Sequence, residues 1–423
     1  MTSRREFLRA GGGLAMLGAL AACGSNSGGT SGGSGRAVLS QWYHAYGEQG
    51  TEEAAKRYAA AYTKAKVDVR WIRGQYVTAL SSGLLGSDGP DVFEDQLNVE
   101  LVNAKEVIPL DDVLDAAKSD FVPAALAANT VNGHVYGIPM VEDMQLLYYR
   151  KSLLKKARVT PPSTLDELAG VAKALTTKSM KGLFLGNFVD NDGSGTITPL
   201  AGPLVWSAGL DLLSADGTSA GFDDPRAVAA VGKLRSLFTS GHLLLGAPTD
   251  WSDPASFING LAAMQWSGLG AMPAIQAKFG DDVGVLPFPR LDRTGELSVP
   301  IGTYAAMVNG RSQQQDAAKE FIKWLWVDQT AYQEDFNLNY GFHLPPRRSI
   351  AAQADKLKTG AAADAVAYSN QYAHPASPPL WTPVMNTAYQ GALSNIVKQG
   401  SDPTKELATA AAAVSKELDR LGN

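Results

Sequence analysis

The sequence predicts an α/β fold on three grounds: one strand of clear period two, helices opened by recognisable caps, and short apolar runs spaced between them. Val67, Val69 and Trp71 alternate with Lys66, Asp68 and Arg70, the mark of a half-buried strand. Before it, Thr51 is placed to cap a helix with Glu52 and Glu53 in its first turn and Ala55, Tyr58, Ala59 and Tyr62 at helical spacing. Thr164 with Glu167 forms a capping-box pattern ahead of Leu168, Ala172 and Leu175. Asp224-Pro225 opens another helix, with Val228, Val231, Leu234 and Phe238 on one stripe and Gly241 at its end. Asp402-Pro403 opens a last, Ala-rich helix running towards Leu421. The apolar runs Val38 to Tyr43, Asp91 to Phe93, Leu146 to Tyr149, Leu261 to Trp266 and Val283 to Leu286 read as buried strands.

With 423 residues, 45% apolar and 19% charged, the chain can bury a core in roughly two or three domain-sized units. That balance excludes a disordered or collagen-like chain. A net charge of −5 gives no footprint for nucleic acid or an anionic lipid surface, and a neutral or weakly charged partner fits better. The single cysteine, Cys23, excludes an internal disulfide, a Cys-based zinc site and a Cys–Cys redox pair.

Residues 1–22 read as an export signal, with Arg4, Arg5 and Arg9 ahead of the uncharged run Ala10 to Ala22. That run spans only about 20 Å as a helix, short of the roughly 30 Å hydrocarbon core. Ser3-Arg4-Arg5-Glu6-Phe7-Leu8 resembles the twin-arginine export motif, and Leu20-Ala21-Ala22-Cys23 resembles a bacterial lipobox, in which Cys23 is acylated. Residues 23–36, rich in Gly and Ser, read as a flexible tether with roughly 20 Å of reach. The expectation is a protein lipid-anchored at the extracytoplasmic face of the cell membrane.

Enzymatic signatures are sparse. The mature chain lacks H-E-x-x-H, a Walker-type loop and G-x-G-x-x-G. Ser152-Leu153-Leu154-Lys155 matches S-x-x-K and Lys358-Thr359-Gly360 matches K-T-G, but the Ser-Asp-Asn of that set is missing, and Asp190, Asp192, Ser194 and Gly195 mimic a calcium loop whose twelfth position is Ala201 rather than Glu. The five histidines, His44, His134, His242, His343 and His374, show no metal-ligand spacing and read as surface or hydrogen-bonded core residues. No metal, no cofactor and no catalysis is expected.

Several strings carry a family resemblance: Gly89-Pro90-Asp91-Val92-Phe93; Val135-Tyr136-Gly137-Ile138-Pro139 leading into Leu147-Tyr148-Tyr149-Arg150-Lys151; Phe257-Ile258-Asn259-Gly260; Val283-Gly284-Val285-Leu286-Pro287; Ala317 to Leu325; and Leu344-Pro345-Pro346-Arg347. In this order the chain from residue 37 onward resembles the extracellular solute-binding proteins of bacterial carbohydrate ABC importers, the group that includes maltose-binding protein. The resemblance implies a type II fold of two α/β lobes joined by crossing strands, with ligand in the cleft and closure by hinge motion. It puts the crossings near residues 142–145, 298–302 and 344–348. The lobes are then discontinuous, residues 37–142 with 301–345 and residues 143–300 with 346–423. It also implies a sugar ligand, the transmembrane subunits of an ABC permease as partner, and a monomer.

A sugar needs aromatic faces for its C–H surfaces and edge-on polar groups for its hydroxyls. Trp42 and Tyr46 sit where the first strand ends, the edge at which α/β ligand sites form, although Trp42 also suits a core. By the resemblance Asp95 and Asn98 occupy a ligand-facing loop, and Asp143 falls where a hydroxyl-binding carboxylate often stands. Tyr304 follows Pro300-Ile301-Gly302 where relatives often carry a stacking Trp, and Gly302 lets the backbone approach closely. Trp206, Trp266 and Trp381 are further ring candidates, with a core position open for Trp266, and Arg347 can fork two hydroxyls or pair with an acid. Gly270 stands where the maltose-binding pattern has Trp, which departs from a maltose-type stack. The competing readings are a secreted glycoside hydrolase using two carboxylates, and a binding protein for a non-sugar solute such as a glycerophosphodiester.

Overall fold

The computed structural model describes residues 36–86, 88–186 and 200–422. The export signal, Cys23, residues 23–35 of the tether and the calcium-loop mimic at 190–195 lie outside the described residues.

Ten strands occur among them: β1 (Ala37–His44), β2 (Ala65–Ile72), β3 (Val92–Asp95), β4 (Thr130–Val131), β5 (His134–Val135), β6 (Ile138–Arg150), β7 (Met264–Gly268), β8 (Val283–Leu286), β9 (Val299–Val308) and β10 (Ala373–Pro375). β4 and β5 form a small hairpin whose turn residues Asn132 and Gly133 both have positive φ, as a two-residue turn matched to strand twist requires. The other eight run in the order β2-β1-β3-β9-β6-β7, with β10 beside β9 and β8 beside β6. β1 is parallel to β2 and β3, whereas β9 is antiparallel to β3 and β6.

The two longest strands change partners along their length. Residues 138–144 of β6 pair with β9, and residues 145–150 pair with β7 and β8. β9 pairs with β10 at Val299 to Ile301 and with β3 at Ala305 to Val308. An isolated bridge adds Leu344 to Glu142.

The buried apolar residues fall into groups that follow these changes. Leu39, Tyr58, Val92, Ile138, Phe321 and Phe336 belong to one core, and Leu147, Leu168, Val231, Trp266, Tyr389 and Val414 to another. A third group, with Met144, Leu146, Tyr148, Val299, Ile301 and Leu344, packs around the segments where β6 and β9 change partners.

The helices at Leu165–Leu175, Pro225–Thr239 and Pro403–Leu421 start at the caps read from sequence, with the Thr164–Glu167 box fully formed. Thr51 differs from expectation. It is the first helical residue of Thr51–Ala61, Gly50 is the N-cap with φ 94°, and the Thr51 hydroxyl donates to the Glu48 carbonyl at 3.0 Å. A carbonyl three residues back captures that hydroxyl before it can turn to the helix N–H groups. No helix among the described residues is long and apolar enough to cross a membrane.

Candidate functional site

A cavity of about 540 Å³ opens where the end of β3, the crossing strands and the helices Ala201–Ser207 and Pro383–Ser394 face one another. Trp206, Trp251 and Trp381 line it together with Asp95, Gln96, Asn98, Gln145 and Asn386. The set combines ring faces with short polar side chains, the two features a polyhydroxylated ring requires. Among the described residues no Lys or Arg lines it, and Glu100 at its wall is paired with Arg420 at 3.0 Å. The undescribed residues 187–199 contain neither Lys nor Arg in sequence.

Asp95 also lines a second cavity of about 280 Å³, whose walls include His44, Tyr76 and Tyr304. Burial pushes the Asp95 carboxyl up to about 6, with the Gln96 N–H at 2.8 Å opposing and the neighbouring Glu94 adding to the rise. Glu94 is buried, and its carboxylate gathers donors. The His44 backbone N–H reaches it at 2.8 Å, the Tyr46 hydroxyl at 2.8 Å, and His44 Nδ1 contacts it closely. The Tyr76 hydroxyl donates to the Glu94 carbonyl at 2.5 Å. Burial alone would lower the His44 pKa, but the bond and charge of Glu94 raise it. The His44 ring stacks on Tyr304 with centroids 4.6 Å apart and lies 4.1 Å from the Tyr46 ring.

Beside this stack lies a second carboxylate–imidazole group. His343 contacts Asp143 through Nδ1 and Glu48 Oε1 through Nε2 at 3.1 Å. Asp143 and Gln145 project from the same face of β6, and Gly302 and Tyr304 from the same face of β9, with Asp143 opposite Gly302. Asp143 therefore shares a sheet face with Gln145 of the larger cavity and Tyr304 of the smaller, and itself lines neither.

The structure brings Asp95, Asn98, Trp206 and Trp381 to the larger cavity and Tyr304 to the smaller, with Tyr46 behind it. Asn98 is also an N-cap, accepting from the Leu101 N–H at 3.0 Å. Trp206 keeps 1% of its surface, donates to Asp211 at 3.0 Å and stacks on His374 at 4.6 Å, so only a sliver of its ring faces the cavity.

Three candidates lie elsewhere. Trp42 is buried against Tyr76 and Phe93, bonded to Ser40 Oγ at 3.1 Å and covered by the Arg70 guanidinium. Trp266 is fully buried against Phe288, and its indole N–H meets Gln145 Oε1 at 3.1 Å. Arg347 is committed to Asp120 at 2.8 Å and to the Val327 carbonyl at 2.5 Å, and lines neither cavity. At Gly302 an added Cβ would meet nothing closer than 3.7 Å, so the protein's own packing does not demand glycine there.

Trp251, Gln96, Gln145 and Asn386 join the site without having been singled out from sequence, as do Glu48 and Glu94 around it, while His44 and His343, read as surface or hydrogen-bonded core residues, contact those two carboxylates. The one local signal for Glu94 was an acid ending an apolar strand. His343 has partners 200 and 295 residues away, which leaves no local trace. Among the described residues no group of three or more His, Cys, Asp or Glu could hold a metal ion.

Residues 44–329 match the family model for bacterial extracellular solute-binding proteins. The chain is 28% identical over 272 residues to the sn-glycerol-3-phosphate-binding periplasmic protein UgpB of Escherichia coli K12, which covers 58% of this chain and 60% of that protein. It is 30% identical over 138 residues to a binding protein of Brucella abortus, covering 31% of this chain and 32% of that one. It thus spans between a third and three fifths of the length of these curated relatives. In fold it is similar to the sugar-binding protein MalE of Xanthomonas citri, with 20% identity, a TM-score of 0.75, and coverage of 90% of this chain and 98% of that one. The architecture is accordingly the mixed α/β, type II arrangement of two lobes.

Proposed function

This chain belongs to the bacterial extracellular solute-binding proteins, and from that membership we propose that it captures a neutral mono- or oligosaccharide outside the cytoplasm and delivers it to an ABC-type permease. The carrying observation is the 540 Å³ cavity, where indole rings meet Asp95 and side-chain amides and no Lys or Arg is present among the described residues. Ring faces suit the apolar C–H surfaces of a sugar, and the carboxylate and amides suit its hydroxyls. Binding and release complete the cycle, with no bond made or broken.

In this reading residues 37–142 with 301–345 form one lobe and residues 143–300 with 346–423 the other, hinged where β6 and β9 change partners. A permease distinguishes loaded from empty protein only if the solute favours one lobe arrangement, and contacts from both lobes supply that difference. The signal at 1–22 would direct export and be removed, and acylation at Cys23 with the tether at 23–36 would hold a monomer at the extracytoplasmic face of the cell membrane. Recovery of Cys23→Ala in the soluble fraction is expected, and its persistence in membranes would exclude the lipid anchor.

The similarity to UgpB favours a second reading, a glycerophosphodiester or sn-glycerol 3-phosphate. Against it, a phosphate would face the Asp95 carboxyl, and among the described residues no Lys or Arg lines the cavity. Calorimetry and thermal shift against maltose, maltotriose, cellobiose and sn-glycerol 3-phosphate separate the two. Binding of a neutral sugar with no response to the phosphate is expected; the reverse pattern overturns the sugar reading.

A further inference from the structure

We infer that His343 is a positioning residue for solute binding: held as an imidazolium between Glu48 and Asp143, it fixes the carboxylate that Asp143 presents to the solute. The inference rests on the reading in which Asp143 meets a sugar hydroxyl.

With both carboxylates ionised, the contacts call for the charged ring. Nδ1 faces an oxygen of Asp143 and Nε2 faces an oxygen of Glu48, and an ionised carboxylate only accepts. Both ring nitrogens must then donate, which only the imidazolium does. The three side chains come from the loop after β1, from β6 and from the segment following the helix Thr330–Leu338, so the contact joins chain regions far apart in sequence.

Exposure separates the roles. The His343 side chain is 11% exposed and the Asp143 side chain 49%, so the ring holds one carboxylate oxygen from within while the group stays open outward. Among the described residues no other hydrogen bond engages the Asp143 carboxylate.

The ring is not what holds its own backbone. The His343 N–H donates to the Asn337 carbonyl at 3.0 Å, and Leu344 exchanges two backbone bonds with Glu142. Gly341 makes room for the contact, since a Cβ there would lie 2.5 Å from His343 Nε2 and 3.1 Å from Glu48 Oε1.

The titratable groups facing His343 are Asp143 and Glu48. Tyr46 meets the ring edge-on at 6.4 Å with its hydroxyl committed to Glu94, and His44 senses the same two carboxylates. Burial works to lower the His343 pKa, yet the two carboxylates push it up to about 10, so the charge persists through neutral pH.

The test uses the full chain in two arms. In the first, ¹⁵N imidazole spectra at pH 8 should show both His343 nitrogens protonated, with the pKa lowered in Asp143→Asn and in Glu48→Gln. A single neutral tautomer at pH 7 overturns the inference.

In the second arm, calorimetry with maltose, maltotriose and cellobiose compares His343→Gln, Asp143→Asn and the double variant. His343→Gln should weaken binding about tenfold or more, and by less than about twofold once Asp143 is already Asn, because contacting groups are non-additive. Equal losses in both backgrounds, or none, overturn the positioning role. Should His343→Gln fail to fold, Glu48→Gln replaces it in the same cycle, since it removes one anchor and leaves the ring. If Asp143→Asn keeps wild-type affinity, or the wild type binds no probe, the underlying reading fails and the inference with it, whatever the ring spectra show.

Discussion

Glu142 and Leu344 exchange both backbone hydrogen bonds, at 3.0 and 3.1 Å, and Glu142 lies opposite Thr303 on its other side. β6, β9 and the segment at Leu344 therefore meet at a single residue. Its side chain is fully buried, with the Ser369 hydroxyl donating to Oε2 at 3.1 Å.

Burial pushes the Glu142 carboxyl up to about 8, against a small opposing effect of Ser369. The folded chain thus keeps a proton that the unfolded chain releases near its ordinary value of 4.5. Stability contributed by the neutral form is complete below that value and is lost progressively as pH rises towards 8. Glu142→Gln keeps the shape without the titration. Its melting temperature should match the wild type near pH 4 and exceed it at pH 8, by on the order of a few kcal/mol of stability. Identical melting curves at pH 8 would show that the carboxyl is already accommodated in its ionised form.

Local signals carried much of this fold. The caps at Thr164, Asp224 and Asp402 are legible because a helix start needs only a side chain and the next few N–H groups. β9 is far less legible. Pro300 and Gly302 give it the look of a turn, both its faces are largely buried, and its hydrogen-bond partners lie in β3, β6 and β10. The site divides in the same way. Asp95, which ends a strand, and Asn98 just beyond it could be placed through the family resemblance, whereas a buried Trp266 and a cavity-lining Trp251 look alike in sequence because burial is decided by what packs from elsewhere.

Gly50 begins a helix at φ 94°, and a Cβ there would sit 2.8 Å from the Tyr340 ring. Gly50→Ala faces both backbone strain and a clash, and should lose about 1–3 kcal/mol in urea unfolding. Unchanged stability would mean that the 45–50 loop and Tyr340 move apart without penalty.

Arg347 pairs with Asp120 across side chains that are 13% and 22% exposed. Burial acts to raise Asp120, but bonds from Ser349 and Arg347 hold its carboxyl below the usual range. Such a pair contributes stability above the unfolded carboxylate pKa and loses it as pH falls through the folded one. Arg347→Met should therefore cost about 2 kcal/mol at pH 7, with the deficit narrowing in acid, and leave sugar affinity within about twofold. A large loss of affinity with little loss of stability would return Arg347 to the ligand.

Asp95 sets stability and binding against each other. Its carboxyl, pushed up to about 6 chiefly by burial, holds a proton in the folded chain between its ordinary value of 3.8 and 6 that the unfolded chain has released. Stability falls through that interval as pH rises, and the full penalty is present above it. Asp95→Asn should thus raise the melting temperature of the empty protein at pH 7, by on the order of 1–3 kcal/mol of stability, and change it little near pH 3.5. The same ionised oxygens are what a hydroxyl donor needs, so wild-type affinity for a bound sugar should decline as pH drops below about 6, by at most about tenfold per pH step. In Asp95→Asn that acid dependence disappears along with most of the affinity, since the amide offers one acceptor in place of a charged pair. Calorimetry from pH 5 to 8 on both proteins reads the two effects together. A variant that is more stable yet binds as tightly as wild type would place the solute away from Asp95, and with it away from the junction of the two cavities.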